Sequence, residues 1–307
     1  MTSSRFAPLL LAASFLTTLP ALAQNSGQGR AIITVLSKHS EVAPTVTQQD
    51  VSAKVNGKDA SITAWAPFKG ADDSLELVVL IDANARNIGR QLDEMKSFLQ
   101  SLGPHTRAAV GYMQNGTVAM AGPLSADHSR LVNELHLPAG PGTNPYFSLS
   151  QLAQNWPSQD RNARREVLML SGGVDPEGRR FDPDDPYVAS AIRDSVRAGL
   201  VVYSIYWRSG PDGGDGSSSL TTEGGQSHLA QLTDATGGYS YWNGTGNPIS
   251  FQPYFEDMNK RFASQYALVF TGRADRKPSN ETLKLKVEGL GVQVTAPSQV
   301  LVTPAAQ

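Results

Sequence analysis

The chain has 307 residues, 40% hydrophobic and 18% charged, an ordinary globular balance that argues against disorder as the default state. With 26 basic and 28 acidic residues the formal charge is −2, which leaves no electrostatic footprint for nucleic acid or anionic lipid. Cysteine is absent, so disulfides, thiolate metal sites, a cysteine nucleophile and a lipidated N-terminal cysteine are excluded.

Residues 1–23 read as a signal peptide. Arg5 supplies the positive n-region, residues 8–19 are mostly apolar, and Ala21-Leu22-Ala23 is a small-x-small cleavage site. The apolar run ends at Pro20, too soon for a membrane span, so the expectation is an exported protein, periplasmic or extracellular, with no span after cleavage. Residues 24–30, polar and Gly-rich, are expected to be a flexible terminus, followed by a β-branched strand over 31–36. Val51, Ala53 and Val55 alternate up to Asn56-Gly57, and Ala60, Ile62 and Ala64 alternate after it. Asn-Gly between alternating runs is a hairpin signal, because both turn positions need positive φ. The Asn-x-Ser/Thr triplets at Asn115, Asn243 and Asn280 are read as turns or loop ends.

The hydrophobic period then changes. Residues 75–81 form a nearly continuous apolar run, the pattern of a strand buried on both faces, ending at Asp82. Ile88, Leu92, Met95, Phe98 and Leu102 recur at helical spacing until Gly103-Pro104. A strand over 107–114 turns at Asn115-Gly116 straight into 117–120; two residues cannot make a parallel crossover, so this third strand is predicted antiparallel. Short helices are predicted over 127–135 and 145–156, and a buried strand over 166–171. Asp185-Pro186 has the order of an N-cap and first helical residue, Val188, Ile192 and Val196 form the stripe, and Gly199 stops it. After a strand over 200–206, residues 208–227 read as a Gly/Ser/Asp loop, 227–236 as a short helix and 239–242 as a brief strand. Phe251, Phe255, Met258 and Phe262 mark a last helix, and 265–270, 283–287 and 291–295 read as β segments. The predicted architecture is α/β: a doubly wound, Rossmann-like, mainly parallel sheet with one antiparallel edge strand, flanked by small β segments. The predicted division is a β unit and linker over 24–70, an α/β domain over 71–264 and a C-terminal β segment over 265–307.

An apolar strand ending in Asp82, a helix and a reversed third strand together resemble the von Willebrand factor type A (vWA) fold. Gly140-Pro141-Gly142-Thr143 before a helix resembles that fold's second metal loop. Leu168-Met169-Leu170-Ser171-Gly172-Gly173 at a strand end resembles its third, usually written with Asp-Gly. The flanks, residues 46–51 with Asn56-Gly57-Lys58 and residues 261–270, resemble bacterial VWFA-related proteins abundant in acidobacteria. The resemblance implies a metal-ion-dependent adhesion site: an Asp-x-Ser-x-Ser loop, a Thr and an Asp holding Mg²⁺ through hard oxygen ligands, with one position open to a partner's carboxylate.

This chain departs from that pattern. In the first loop Asp82 is kept, Asn84 replaces one Ser and Arg86 the other; Thr143 is kept; Gly172 stands where the third loop has Asp, and Asp175 is the nearest substitute carboxylate. A permanent guanidinium at Arg86 repels a divalent ion and offers a fixed cation to a partner's carboxylate instead. The expected binding residues are therefore Asp82, Asn84, Arg86, Thr143, Ser171 and Asp175, with no metal and no cofactor. No Gly-x-Ser-x-Gly elbow, His-Glu-x-x-His or Walker loop occurs, and none of the five histidines neighbours a recognisable nucleophile. The expectation is a non-enzymatic binding or scaffolding protein with a protein partner. The alternatives are a metal-dependent adhesion module using Asp82, Asn84, Thr143 and Asp175, or an unrecognised secreted hydrolase. Trp207 and Trp242, at strand ends, are candidate contact residues.

Overall fold

A computed structural model describes residues 26–38, 45–70, 73–85, 87–175, 182–208, 219–289 and 291–305. The signal-peptide reading over 1–23, the side chain of Arg86, and most of the acidic and Gly/Ser loops after Asp175 and Arg208 lie outside these residues. Strands β1 (Ser26–Ser37), β2 (Val51–Val55) and β3 (Lys58–Pro67) come first. Then follow β4 (Leu75–Asp82), α1 (Gly89–Ser101), β5 (Thr106–Gln114), β6 (Thr117–Met120), α2 (His128–Glu134), α3 (Pro145–Gln154) and β7 (Arg164–Ser171). Next are α4 (Pro186–Ala198), β8 (Leu200–Tyr206), α5 (Ser219–Thr236), β9 (Ser240–Tyr241) and α6 (Gln252–Phe262). Last come β10 (Gln265–Arg273), β11 (Ser279–Val287), β12 (Val292–Thr295) and β13 (Gln299–Pro304).

The expected fold class is corrected by the sheets. The largest sheet is not a parallel, doubly wound one: it has seven strands in the order β10-β3-β2-β11-β13-β1-β12, every pair antiparallel. Because β1 also pairs with β10, six of these strands close into a barrel, with β12 alongside β1. The segments read as small flanks thus join, and the first and last parts of the chain build one unit. Closure rests on the register Ser26↔Arg273 to Thr34↔Gln265, between segments more than two hundred residues apart, which local periodicity cannot report.

The expected flexible terminus is corrected too. Residues 26–30 are the first part of β1, with Gly27 and Gly29 buried and Ser26, Gln28 and Arg30 exposed. The Phe270 ring lies where a side chain on Gly29 would go. Gly29 thus admits a bulky aromatic into a narrow barrel interior that also holds Ile33, Val35, Leu268 and Val302.

The second sheet is mixed, in the order β6-β5-β4-β7-β8-β9. Its pairs are parallel except β5–β6, which reverses at an Asn115-Gly116 turn with φ of 54° and 72° at the two positions. β4 is buried along its whole length, as its unbroken apolar run requires. Residues of α1, α2 and α6 cover one face and residues of α3, α4 and α5 the other. α4 begins at Asp185, whose side chain accepts from the Tyr187 amide, with Pro186 in the first turn, and ends at Gly199 with φ of 69°. α5 starts eight residues earlier than the predicted helix, within the segment read as loop. Its Ser, Thr and Gly residues hide the helix from propensity, but a Cβ on Gly225 would overlap the Gly172 carbonyl oxygen, so the glycine lets the helix backbone touch the end of β7.

Arg164 joins the two sheets. It donates to the Phe262 carbonyl oxygen at 2.8 Å, to the Gln265 side-chain carbonyl and to the Asp73 carboxylate, and its guanidinium lies 4.9 Å from the centre of the Phe68 ring.

Candidate functional site

Open α/β sheets gather their loops at the carboxyl ends of the parallel strands. β4 and β7 run in register to Ile81↔Leu170, so Asp82 and Ser171 emerge side by side. Ser171 Oγ donates to Asp82 Oδ2 at 2.8 Å, and the Asn84 amide donates to Asp82 Oδ1 at 2.9 Å. Both carboxylate oxygens are therefore engaged by the protein, and Asp82 is 2% exposed. Burial pushes its pKa up to about 6, against the opposing pull of the Asn84 and Ser171 hydrogen bonds.

The second loop closes onto the first. The Asn84 carboxamide fills the space a side chain on Gly142 would need. Thr143, half-buried, follows, and Asn144 caps α3 by accepting from the Tyr146 and Phe147 amides at 3.0 and 3.1 Å. The Asn144 side chain also donates to Asp175 Oδ2 at 3.1 Å. Tyr146 donates its hydroxyl to the Gly173 carbonyl oxygen at 2.9 Å, tying α3 to the third loop. The Gly173 amide donates back to Ser171 Oγ at 3.1 Å. The structure thus links Asp82, Asn84 and Ser171 directly, brings Gly142 beside Asn84, and reaches Asp175 through Asn144. Arg86 falls outside the described residues.

Four further residues organise this end. Asn144 and Tyr146 join the second and third loops, and Trp207 Nε1 donates to Asn87 Oδ1 at 2.7 Å while its amide donates to the Ser171 carbonyl oxygen at 3.0 Å. The Asn144-Pro145 pair is a readable helix start. Nothing in the sequence marks Asn87 as the partner of a residue 120 positions away. Trp207 is 3% exposed and packs edge-on against Phe251, which corrects its reading as a contact residue; Trp242 is 43% exposed.

The donor set fits a divalent ion poorly. Mg²⁺ takes six oxygens in a near-ideal octahedron. Here one buried carboxylate with both oxygens in use, one threonine hydroxyl and one carboxamide packed on Gly142 stand nearest, and Gly172 has no side chain to add. Among the described residues, no three His, Cys, Asp or Glu side chains cluster in a metal-holding arrangement.

No family model and no curated protein matches the chain. Among solved structures it is similar to an aerotolerance-related membrane protein from Bacteroides fragilis, at 11% identity over 62% of this chain and 98% of that one, with a TM-score of 0.45. The VWA domain of SpRpn10 matches at 11% identity over 60% of this chain and 95% of that one, with a TM-score of 0.42. The pilus adhesin SpaC from Lactobacillus rhamnosus GG matches at 10% identity over 83% of this chain and 48% of that one, with a TM-score of 0.47. All three scores lie below one half, so these likenesses decide neither family nor function, and the acidobacterial resemblance stays unconfirmed. Among the described residues no helix is long and apolar enough to cross a membrane.

Proposed function

We propose that this chain is an exported, non-enzymatic binding module that holds a protein partner at the loop end of the mixed sheet, around Asp82, Asn84, Thr143, Ser171 and Asp175, with no resident divalent ion. The observation that carries this reading is the burial of Asp82, with both of its oxygens engaged inside the protein. A divalent ion there would meet a carboxylate that is 2% exposed, with a hydrogen bond already on each oxygen, and among the described residues no cluster of three His, Asp or Glu side chains to complete its shell. Catalysis is disfavoured by access: Ser171 is fully buried, so its hydroxyl, although 2.8 Å from a carboxylate, has no open approach for a substrate.

Calorimetry with Mg²⁺, Mn²⁺ and Ca²⁺ separates this reading from metal-dependent adhesion; no saturable heat is expected with any of the three. In parallel, the immobilised protein is exposed to envelope extract with and without a chelator. Capture that survives the chelator and weakens in Arg86→Ala and Thr143→Ala, both still folded, supports the reading. Capture lost with chelator and restored by Mg²⁺ would establish the metal-dependent alternative instead.

A further inference from the structure

At the opposite end of the mixed sheet, where β7 and β8 begin, a cleft of about 800 Å³ opens between the sheet and the barrel. Its charged lining residues are four arginines, Arg30, Arg161, Arg165 and Arg197, with no Asp or Glu among them. The chain as a whole is slightly acidic, so this concentration is not the by-product of a basic protein. Among the described residues none of the four forms a salt bridge, whereas Arg107, Arg130, Arg164, Arg193 and Arg261 all do.

What holds two of these arginines is backbone. Arg30, from β1 of the barrel, donates to the carbonyl oxygens of Arg161 and Asn162 at 2.9 and 3.4 Å. Arg165 donates to those of Ser158 and Asp160 at 3.3 and 3.1 Å, with its guanidinium 5.9 Å from the centre of the Trp156 ring. Carbonyl oxygens orient a guanidinium without cancelling its charge, and each fork keeps further N–H donors for a planar oxyanion. The carboxylate of Asp160, closest in sequence, accepts instead from the Asn162 and Ala163 amides of its own turn. Trp156 is fixed by donating its indole N–H to buried Glu76 at 2.7 Å.

We propose that this cleft binds an acidic oligosaccharide, one carrying carboxylate or sulfate groups among its hydroxyls. The arginines meet the oxyanions, and the amide side chains of Gln28, Gln159 and Gln299 with the Thr303 hydroxyl, all lining the same cleft, suit sugar hydroxyls. A single-stranded nucleic acid is a worse fit, because it needs exposed aromatic faces for its bases, and the one aromatic in the lining, Trp156, is buried beneath Arg165. The site is remote from Asp82 and stands or falls independently of the protein-binding face.

The test is calorimetric titration of the full chain with a heparin-derived tetrasaccharide, a tetragalacturonate and neutral maltotetraose. Binding of one or both acidic sugars, weakened by salt and absent for maltotetraose, is expected. The Arg161→Gln/Arg197→Gln double variant changes two exposed side chains and should melt with the wild type while losing about tenfold or more in affinity. Should it melt early, the single Arg197→Gln variant carries the same comparison. The proposal is overturned if neither acidic sugar binds, if maltotetraose binds as well as they do, or if the folded variant binds like the wild type. Equal or tighter binding of a thymidine oligomer or of inorganic sulfate alone also overturns it, by assigning the cleft to another ligand.

Discussion

Glu166 lies on β7 beneath the barrel, fully buried, and neither carboxylate oxygen has a hydrogen-bond partner among the described residues. Burial pushes its pKa up to about 7; Arg164 and Gln265 pull it down, but the Gln265 amide N–H is directed at the Tyr203 hydroxyl and Arg164 at other oxygens. A folded-state pKa above the unfolded one means that the native state holds the extra proton, so stability is complete below the ordinary glutamate range and drains away as pH rises through about 7. The Glu166→Gln variant lacks that loss, and urea melts at pH about 5 and about 8 should show it gaining roughly 2–3 kcal/mol on the wild type between the two. Parallel curves for the two proteins would mean that Glu166 is solvated. Asp82 behaves in the same sense, losing stability as pH rises through about 6, and Ser171 softens that loss by donating to the ionised form. Ser171→Ala should therefore cost about 1–3 kcal/mol at pH about 7.5 and clearly less at pH about 5, where Asp82 is largely neutral. A pH-independent cost would assign Ser171 a packing role only. At this scale Asp82 and Ser171 were legible, because an apolar run that stops at a polar residue marks a strand end, while Asn84 was singled out only by the resemblance to the vWA first loop. Asn87 and Trp207 were not: each looks like an ordinary loop or strand-end residue until the fold brings them together.

Among the elements, β1 and α5 are those whose composition misleads, and both do so through glycine. In β1 the alternation Ser26-Gly27-Gln28-Gly29-Arg30 is a strand pattern with glycine on the apolar face, where Gly29 makes room for the Phe270 ring and Gly27 for Ala274, Val302 and the Thr303 carbonyl oxygen. Gly29→Ala should destabilise by about 1–3 kcal/mol, since the new methyl overlaps the ring and the closed barrel offers little room to shift. Combining it with Phe270→Leu should recover part of that loss; a double variant as damaged as the sum of the two singles would show that the ring is not what excludes the methyl. In α5, Gly225 has the same meaning at a helix–strand contact. Of the readable elements, α4 and the two Asn-Gly hairpins carry their signal within a few residues, in a cap, a stop or a turn, and β4, though paired with distant β5 and β7, shows its two-sided burial in an unbroken apolar run. The misread ones are justified only by a neighbour far along the chain.

On the scale of the whole molecule, the barrel is assembled from both ends of the described chain around a mixed sheet formed by its middle, so the mixed sheet and its helices occupy one continuous stretch, 75–262, while the barrel has no uninterrupted sequence of its own. Their junction is Arg164, which reaches the end of α6, the start of β10 and Asp73 before β4, and is buried at the boundary. Removing Arg164 leaves the Phe262 and Gln265 carbonyl oxygens without their buried donor, at a cost of about 1–3 kcal/mol, while Asp73, 38% exposed, stays solvated. Two bodies coupled by such a contact and by two chain crossings should unfold together. Trp65, stacked on Tyr266 at 4.8 Å, reports the barrel, and Trp207, against Phe251, reports the mixed sheet. Variants keeping one or the other as the sole tryptophan should give coincident urea midpoints in the wild-type background. Introducing Arg164→Leu should lower both midpoints and draw them apart, with the barrel unfolding first, because it loses the tie at β10 while the mixed sheet keeps its two helical layers. Midpoints already separate before that substitution would show that the barrel and sheet fold as independent domains, and that the arginine-lined cleft between them is a moving boundary.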